Sequence, residues 1–135
     1  MLKIINFIVE NLKKVDVIGD VDEETIKDAE GKLGISFPSQ LREIIKNFGC
    51  ISYKQWELFG LGVKESSHLN IVKNTLELRE YKLPETYIPF ISFDDGAYAV
   101  VDSNNSVYEF VINSSNVKKI DDNLDDFLYN LFSSE

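Results

Sequence analysis

The chain is poor in the residues that carry most enzymatic chemistry. Its 135 residues hold one cysteine and one histidine. A lone cysteine, Cys50, forms no internal disulfide, which fits a reducing cytoplasm. A lone histidine, His68, builds no histidine-based metal site, and the sequence shows no partner to make it a general base. Cys50 follows a helix-ending glycine, whereas a nucleophilic thiol wants a helix N-terminus or a cation to lower its pKa. No window approaches the roughly 20 apolar residues of a membrane span. The opening MLKIINFIVENLKK is broken by Asn6 and Glu10 and lacks a small-residue cleavage site, so it does not read as a signal peptide. Phosphate loops, G-x-G-x-x-G, H-E-x-x-H and G-x-S-x-G are absent. Repeats, linkers and low-complexity segments are absent too, so residues 1–135 read as one domain, large enough for a core without disulfide or metal.

Positive charge is scarce in one region. Residues 83–135 carry 2 basic and 10 acidic groups, net −8, whereas residues 34–82 are net +2 and the whole chain is net −9. Such a field repels nucleic acid and anionic membranes and attracts basic partners. Asp94, Asp95 and Asp102 invite comparison with a cation site. Calcium wants six or more oxygens in a tight loop, and turn chemistry accounts for Asp94 and Asp95 without metal. Asp121, Asp122, Asp125 and Asp126 surround an expected helix start, where capping explains some of them, but four in six residues exceeds what capping needs. With Asp94, Asp95 and Glu109 they are the candidate partner-binding residues. The expectation is that many of them share one exposed face. No catalytic residue, cofactor or metal is expected.

Periodicity supplies the elements. Ile5, Ile8, Val9 and Leu12 have the spacing of an amphipathic helix. Asp22 caps a second helix with core residues Ile26, Ala29 and Leu33, and Gly34 ends it. Pro38 or Ser39 opens a third helix buried through Leu41, Ile44, Ile45 and Phe48 and closed by Gly49. Ser52 to Phe59 reads as a strand or hairpin. Leu69, Val72 and Leu76 suggest a helix over 68–81, stopped before Pro84. Tyr87–Phe93, Ala97–Asp102, Val107–Ile112 and Val117–Ile120 are β-branched and aromatic runs separated by turn sequences at 94–96, 103–106 and 113–116, an antiparallel meander. In the third run Tyr108, Phe110 and Ile112 form the better core face. Leu124, Phe127, Leu128 and Leu131 give a final helix. The fold class is α+β: a small antiparallel sheet with helices packed on one side, N-terminal helices and a C-terminal helix.

Several of these residues fall in a familiar order. Ile26, Ala29-Glu30, Leu33-Gly34 and Phe37-Pro38 are followed by a helix from Leu41 to Gly49, then Leu58-Phe59-Gly60. Pro89-Phe90-Ile91, Asp94-Asp95-Gly96, Asp102, Val107-Tyr108 and a closing helix over Leu124–Phe132 come after. The pattern, over about residues 22–132, resembles the SUKH superfamily of bacterial immunity proteins of polymorphic toxin systems and fungal cell-wall assembly regulators. Ala97 stands where that family usually has a polar residue, and Gly49-Cys50 where it often has a glycine pair. The resemblance implies a non-enzymatic cytoplasmic antitoxin that binds and neutralises a cognate toxin. A nuclease toxin, basic because it binds nucleic acid, would suit the acidic chain. The alternative is an intracellular scaffold or regulatory protein-binding module with no toxin partner.

Overall fold

The computed structural model describes residues 2–114 and 116–134; Ser115 of the expected 113–116 turn lies outside them, as do Met1 and Glu135. The elements run α1 Lys3–Glu10, β1 Asp16–Val17, α2 Glu23–Leu33, α3 Ser39–Phe48, β2 Ile51–Tyr53, β3 Trp56–Leu58, α4 Ile71–Glu80, β4 Ile88–Ser92, β5 Ala97–Val101, β6 Val107–Val111, β7 Val117–Asp121 and α5 Leu124–Ser133. The strands form one seven-stranded antiparallel sheet in sequence order. The fold is α+β, as its sequence suggests.

Local chemistry sets the helix ends. Asp22 accepts from the Thr25 N–H at 2.8 Å, Glu23 and Glu24 sit in the first turn of α2, and Gly34 leaves it at φ 74°. Asn70 and Asn123 cap α4 and α5 through the Lys73 and Asp126 N–H groups. Leu41, Ile44, Ile45 and Phe48 of α3 are all buried as expected. They join Ile4, Ile8, Ile26, Ile71, Ala99, Val101, Val107 and Leu128 in the main core, which fills one face of the sheet.

Four registers differ from expectation. The buried residues of α1 are Ile4, Ile5 and Ile8, while Val9 and Leu12 are 54% and 51% exposed. The helix ends at Asn11, so Leu12 falls beyond it and the stripe shifts toward the start. In α4 the buried residues are Ile71, Thr75 and Leu78, and Leu76 is 43% exposed. Thr75 Oγ1 donates to the Ile71 carbonyl at 2.7 Å, which satisfies its hydroxyl and lets a polar residue occupy the core column. In β6 both faces are covered: Val107 lies in the main core, while Phe110 joins Leu78, Leu83 and Val100 in a second cluster on the opposite face. In α5 the fully buried side chains are Leu124, Leu128 and Phe132, with Phe127 and Leu131 partly buried against them. The short edge strand β1 is additional; two residues are too few to show alternation.

Candidate functional site

The seven acidic candidates do not share one face. Ala97 pairs with Val111, and Phe110 with Val117, at the end of the sheet that carries the Asp94-Asp95 turn. Val101 pairs with Val107, and Val107 with Asp121, at the other end. A five-residue strand separates the two ends by about 17 Å. Glu109 pairs with Ala99 and so points to the opposite face from Tyr98, the neighbour of Ala99 along β5.

The four aspartates at the far end each have a partner within the chain, Asp125 in the interior and Asp122 and Asp126 at the surface. Asp125 is only 7% exposed, and its two oxygens accept from the Lys3 and Ile4 N–H groups at 2.9 and 2.8 Å. They serve α1, whose N-cap position is Leu2 and offers no side-chain acceptor. Asp125 therefore belongs to the fold's interior, not to a binding surface. Its own N–H donates to Gln40 Oε1 at 2.9 Å, and the Gln40 N–H donates to Asn105 Oδ1 at 3.1 Å. The starts of α1, α3 and α5 are thus tied together through the β5–β6 turn. Asp126 meets the Lys3 ammonium at 2.7 Å, which raises the lysine's pKa. Asp122 meets Lys119 at 2.7 Å, and that contact holds its carboxyl below the usual carboxylate range. Asp121 accepts from the Asn123 N–H.

At the near end Asp94 and Asp95 are exposed and make no ion pair among the described residues. Asp94 lines a cleft of about 340 Å³ beside the sheet face opposite the main core. Glu57, flanked by Trp56 and the buried Leu58, stands on its wall, with Phe59 and Tyr98 side by side at ring centroids 6.5 Å apart. His68 and Asn74 close it from the α4 side, and His68 Nε2 lies 3.5 Å from Glu57 Oε2. The partner of His68 that sequence reasoning misses is Glu57, eleven positions away across a loop with no periodic signal.

Hydrogen bonding inside the wall turns Asn74 and Ser92 toward accepting, while the Gln55 amide beside them offers both donors and an acceptor. The Asn74 amide nitrogen donates to the His68 and Asn70 carbonyls, each at 2.9 Å, which leaves its Oδ1 as the group's acceptor. Ser92 Oγ donates to the Phe93 carbonyl at 3.3 Å. With the carboxylates of Glu57 and Asp94, the cleft is a place for cationic or donor-rich groups.

A larger groove of about 390 Å³ runs between α2 and α4, floored by Ala29, Leu61 and Val72. Its charges are already paired: Lys32 with Asp28 and Glu65, and Lys73 with Glu77. Cys50 is buried, and desolvation pushes its thiol up to about 11. Among the described residues no three His, Cys, Asp or Glu side chains gather as metal ligands, and no helix is long and apolar enough to cross a membrane.

A family profile described as SUKH_5, SMI1-KNR4 cell-wall, matches residues 1–133. No curated protein matches the chain. Among solved structures, a crystal structure of a protein from Pseudomonas syringae pv. tomato superposes with a TM-score of 0.71 at 17% identity. The match covers 84% of this chain and 85% of that one. At that identity the likeness is one of fold.

Proposed function

The chain belongs to the SUKH superfamily, through its SMI1-KNR4 branch, and on that footing we propose that it is an immunity protein that binds and neutralises a cognate toxin domain. The family match over residues 1–133 is the observation that carries this reading. The protein works without catalysis, in the cytoplasm of the cell that makes the toxin. Its task is to reach the toxin quickly and cover the surface the toxin uses.

The charge distribution supports a basic partner. A net charge of −8 over residues 83–135 attracts a cationic domain over a Debye length of roughly 8–10 Å. Nuclease toxins carry such surfaces because they bind phosphate backbones. Once in contact, groups without internal partners contribute most, and among the described residues those include the exposed Asp94, which shares a cleft with Glu57, and Asp95 rather than the paired aspartates near α5.

The test is coexpression with the toxin domain encoded beside this gene. The reading predicts that growth is rescued and that the two proteins copurify. Persistent toxicity with no complex, from a folded protein, would overturn it.

A further inference from the structure

We propose that the cleft between the β2–β3 hairpin, the β4–β5 turn and the start of α4 seats a single arginine side chain of the protein partner; this deepens the immunity reading and rests on it for the identity of that partner. Four features converge on a guanidinium. Carboxylates approach from two separate elements, Glu57 of β3 and Asp94 of the turn. Two of the neutral polar groups beside them are turned to accept, since Asn74 spends both amide hydrogens on the His68 and Asn70 carbonyls and Ser92 donates to Phe93, and the Gln55 amide adds a further acceptor oxygen. Half-buried Tyr98 lines the same cleft with the buried Phe59, their ring centroids 6.5 Å apart. The cleft, about 340 Å³, has room for one long side chain.

Arginine matches that set better than lysine. Its planar fork offers five donors that can reach two carboxylates at once, and its flat face stacks on aromatic rings. A lysine ammonium would satisfy one carboxylate and keep more of its hydration. Anionic ligands are repelled by the same walls. The exposed Asp95 follows Asp94 in the chain and adds to the local negative charge, and no lysine or arginine lines the cleft. His68 is the one wall group able to carry positive charge, and it lies against Glu57 rather than Asp94.

The binding measurement needs no toxin, and the coexpression assay supplies the second readout. Isotope-labelled protein is titrated with N-acetyl-arginine methylamide, and in parallel with the lysine and citrulline analogues, while amide resonances are followed by NMR. The arginine compound should shift the Gln55 and Asn74 side-chain amides saturably, with a Kd on the order of millimolar. The citrulline compound, equal in shape and uncharged, should not. Glu57→Gln with Asp94→Asn should weaken binding about tenfold, whereas Glu43→Gln, an exposed carboxylate of α3 far from the cleft lining, should leave it unchanged. Shifts scattered over the acidic surface, equal shifts with citrulline, or indifference to the double replacement would overturn the proposal. A blank arginine titration from a protein that still neutralises its toxin refutes the arginine seat alone. Arginine held in the cleft of a protein that protects against nothing refutes the immunity reading alone.

Discussion

The backbone N–H of Ile4 donates to Asp125 Oδ1 at 2.8 Å, joining positions 121 residues apart in the chain. The start of α1 has no capping residue of its own, so α5 supplies one. Replacing Asp125 with Ala leaves the Lys3 and Ile4 amides without acceptors in a site where water has little access. Urea unfolding should show a loss of about 1–3 kcal/mol, with a smaller loss for Asp125→Asn, which keeps one acceptor. Hydrogen exchange should quicken first in α1. Uniform loss of protection across the sheet would mean that Asp125 supports something broader than this cap.

Gly60 sits where the chain crosses itself. A Cβ there would overlap the carbonyl of Gly49, backbone against backbone; moving Gly60 aside breaks its hydrogen bonds with Leu69 and Ile71, and moving Gly49 breaks its bond to the Ile45 carbonyl. Gly60→Ala should cost about 3 kcal/mol or more. Gly31, in the middle of α2 with nothing near its missing Cβ, offers the contrast: Gly31→Ala should stabilise by about 0.5–1 kcal/mol. Thermal denaturation of the pair checks both signs.

Cys50 is buried with its thiol raised to about 11, and its Sγ–H points toward the Leu61 and Leu69 carbonyls. At pH 8 iodoacetamide should label it slowly in the folded protein and fast in denaturant. Fast labelling without denaturant would contradict the packing around the α3–β2 junction.

Glu23 accepts two hydrogen bonds from the Arg42 guanidinium, at 2.8 and 2.6 Å, and this pairing lowers its pKa from 4.5 to about 2. A carboxyl depressed in the folded state stabilises above its unfolded pKa and loses that contribution as pH falls through the folded value. The stability gap between wild type and Glu23→Gln should therefore be full above about pH 5 and close between roughly pH 4.5 and 2. A gap independent of pH across that window would show that the contact acts by shape rather than charge.

Much of this fold is legible in the sequence because its signals are local. The Asp22 cap, the Gly34 and Gly49 helix ends and the Leu41–Phe48 stripe each depend on neighbours within a few positions, and the structure places them as expected. The meander is legible for the same reason: its turns carry Asp95, Asn105 and Asn113 at positive φ. The binding surface is harder to read. Seven acidic residues look alike in a sequence, yet strand register sends Asp94 to one end of the sheet and Asp121 to the other. Burial of Asp125 depends on Lys3 and Ile4, more than a hundred residues away. The Glu57–His68 contact depends on how the loop after β3 returns to α4, and nothing in residues 59–70 announces that path.

Acid-guided binding through the Glu57–Asp94 cleft is tested most directly by stopped-flow association with the toxin domain encoded next door. Run at low and at physiological salt, with the Glu57→Gln/Asp94→Asn protein alongside, association should slow as salt rises. The double replacement should slow it further and also shorten the lifetime of the complex. Replacing Asp122 and Asp126, which are already paired with Lys119 and Lys3, should matter less. Association indifferent to salt, with the cleft variant binding like wild type, would contradict the account and place the interface on another face.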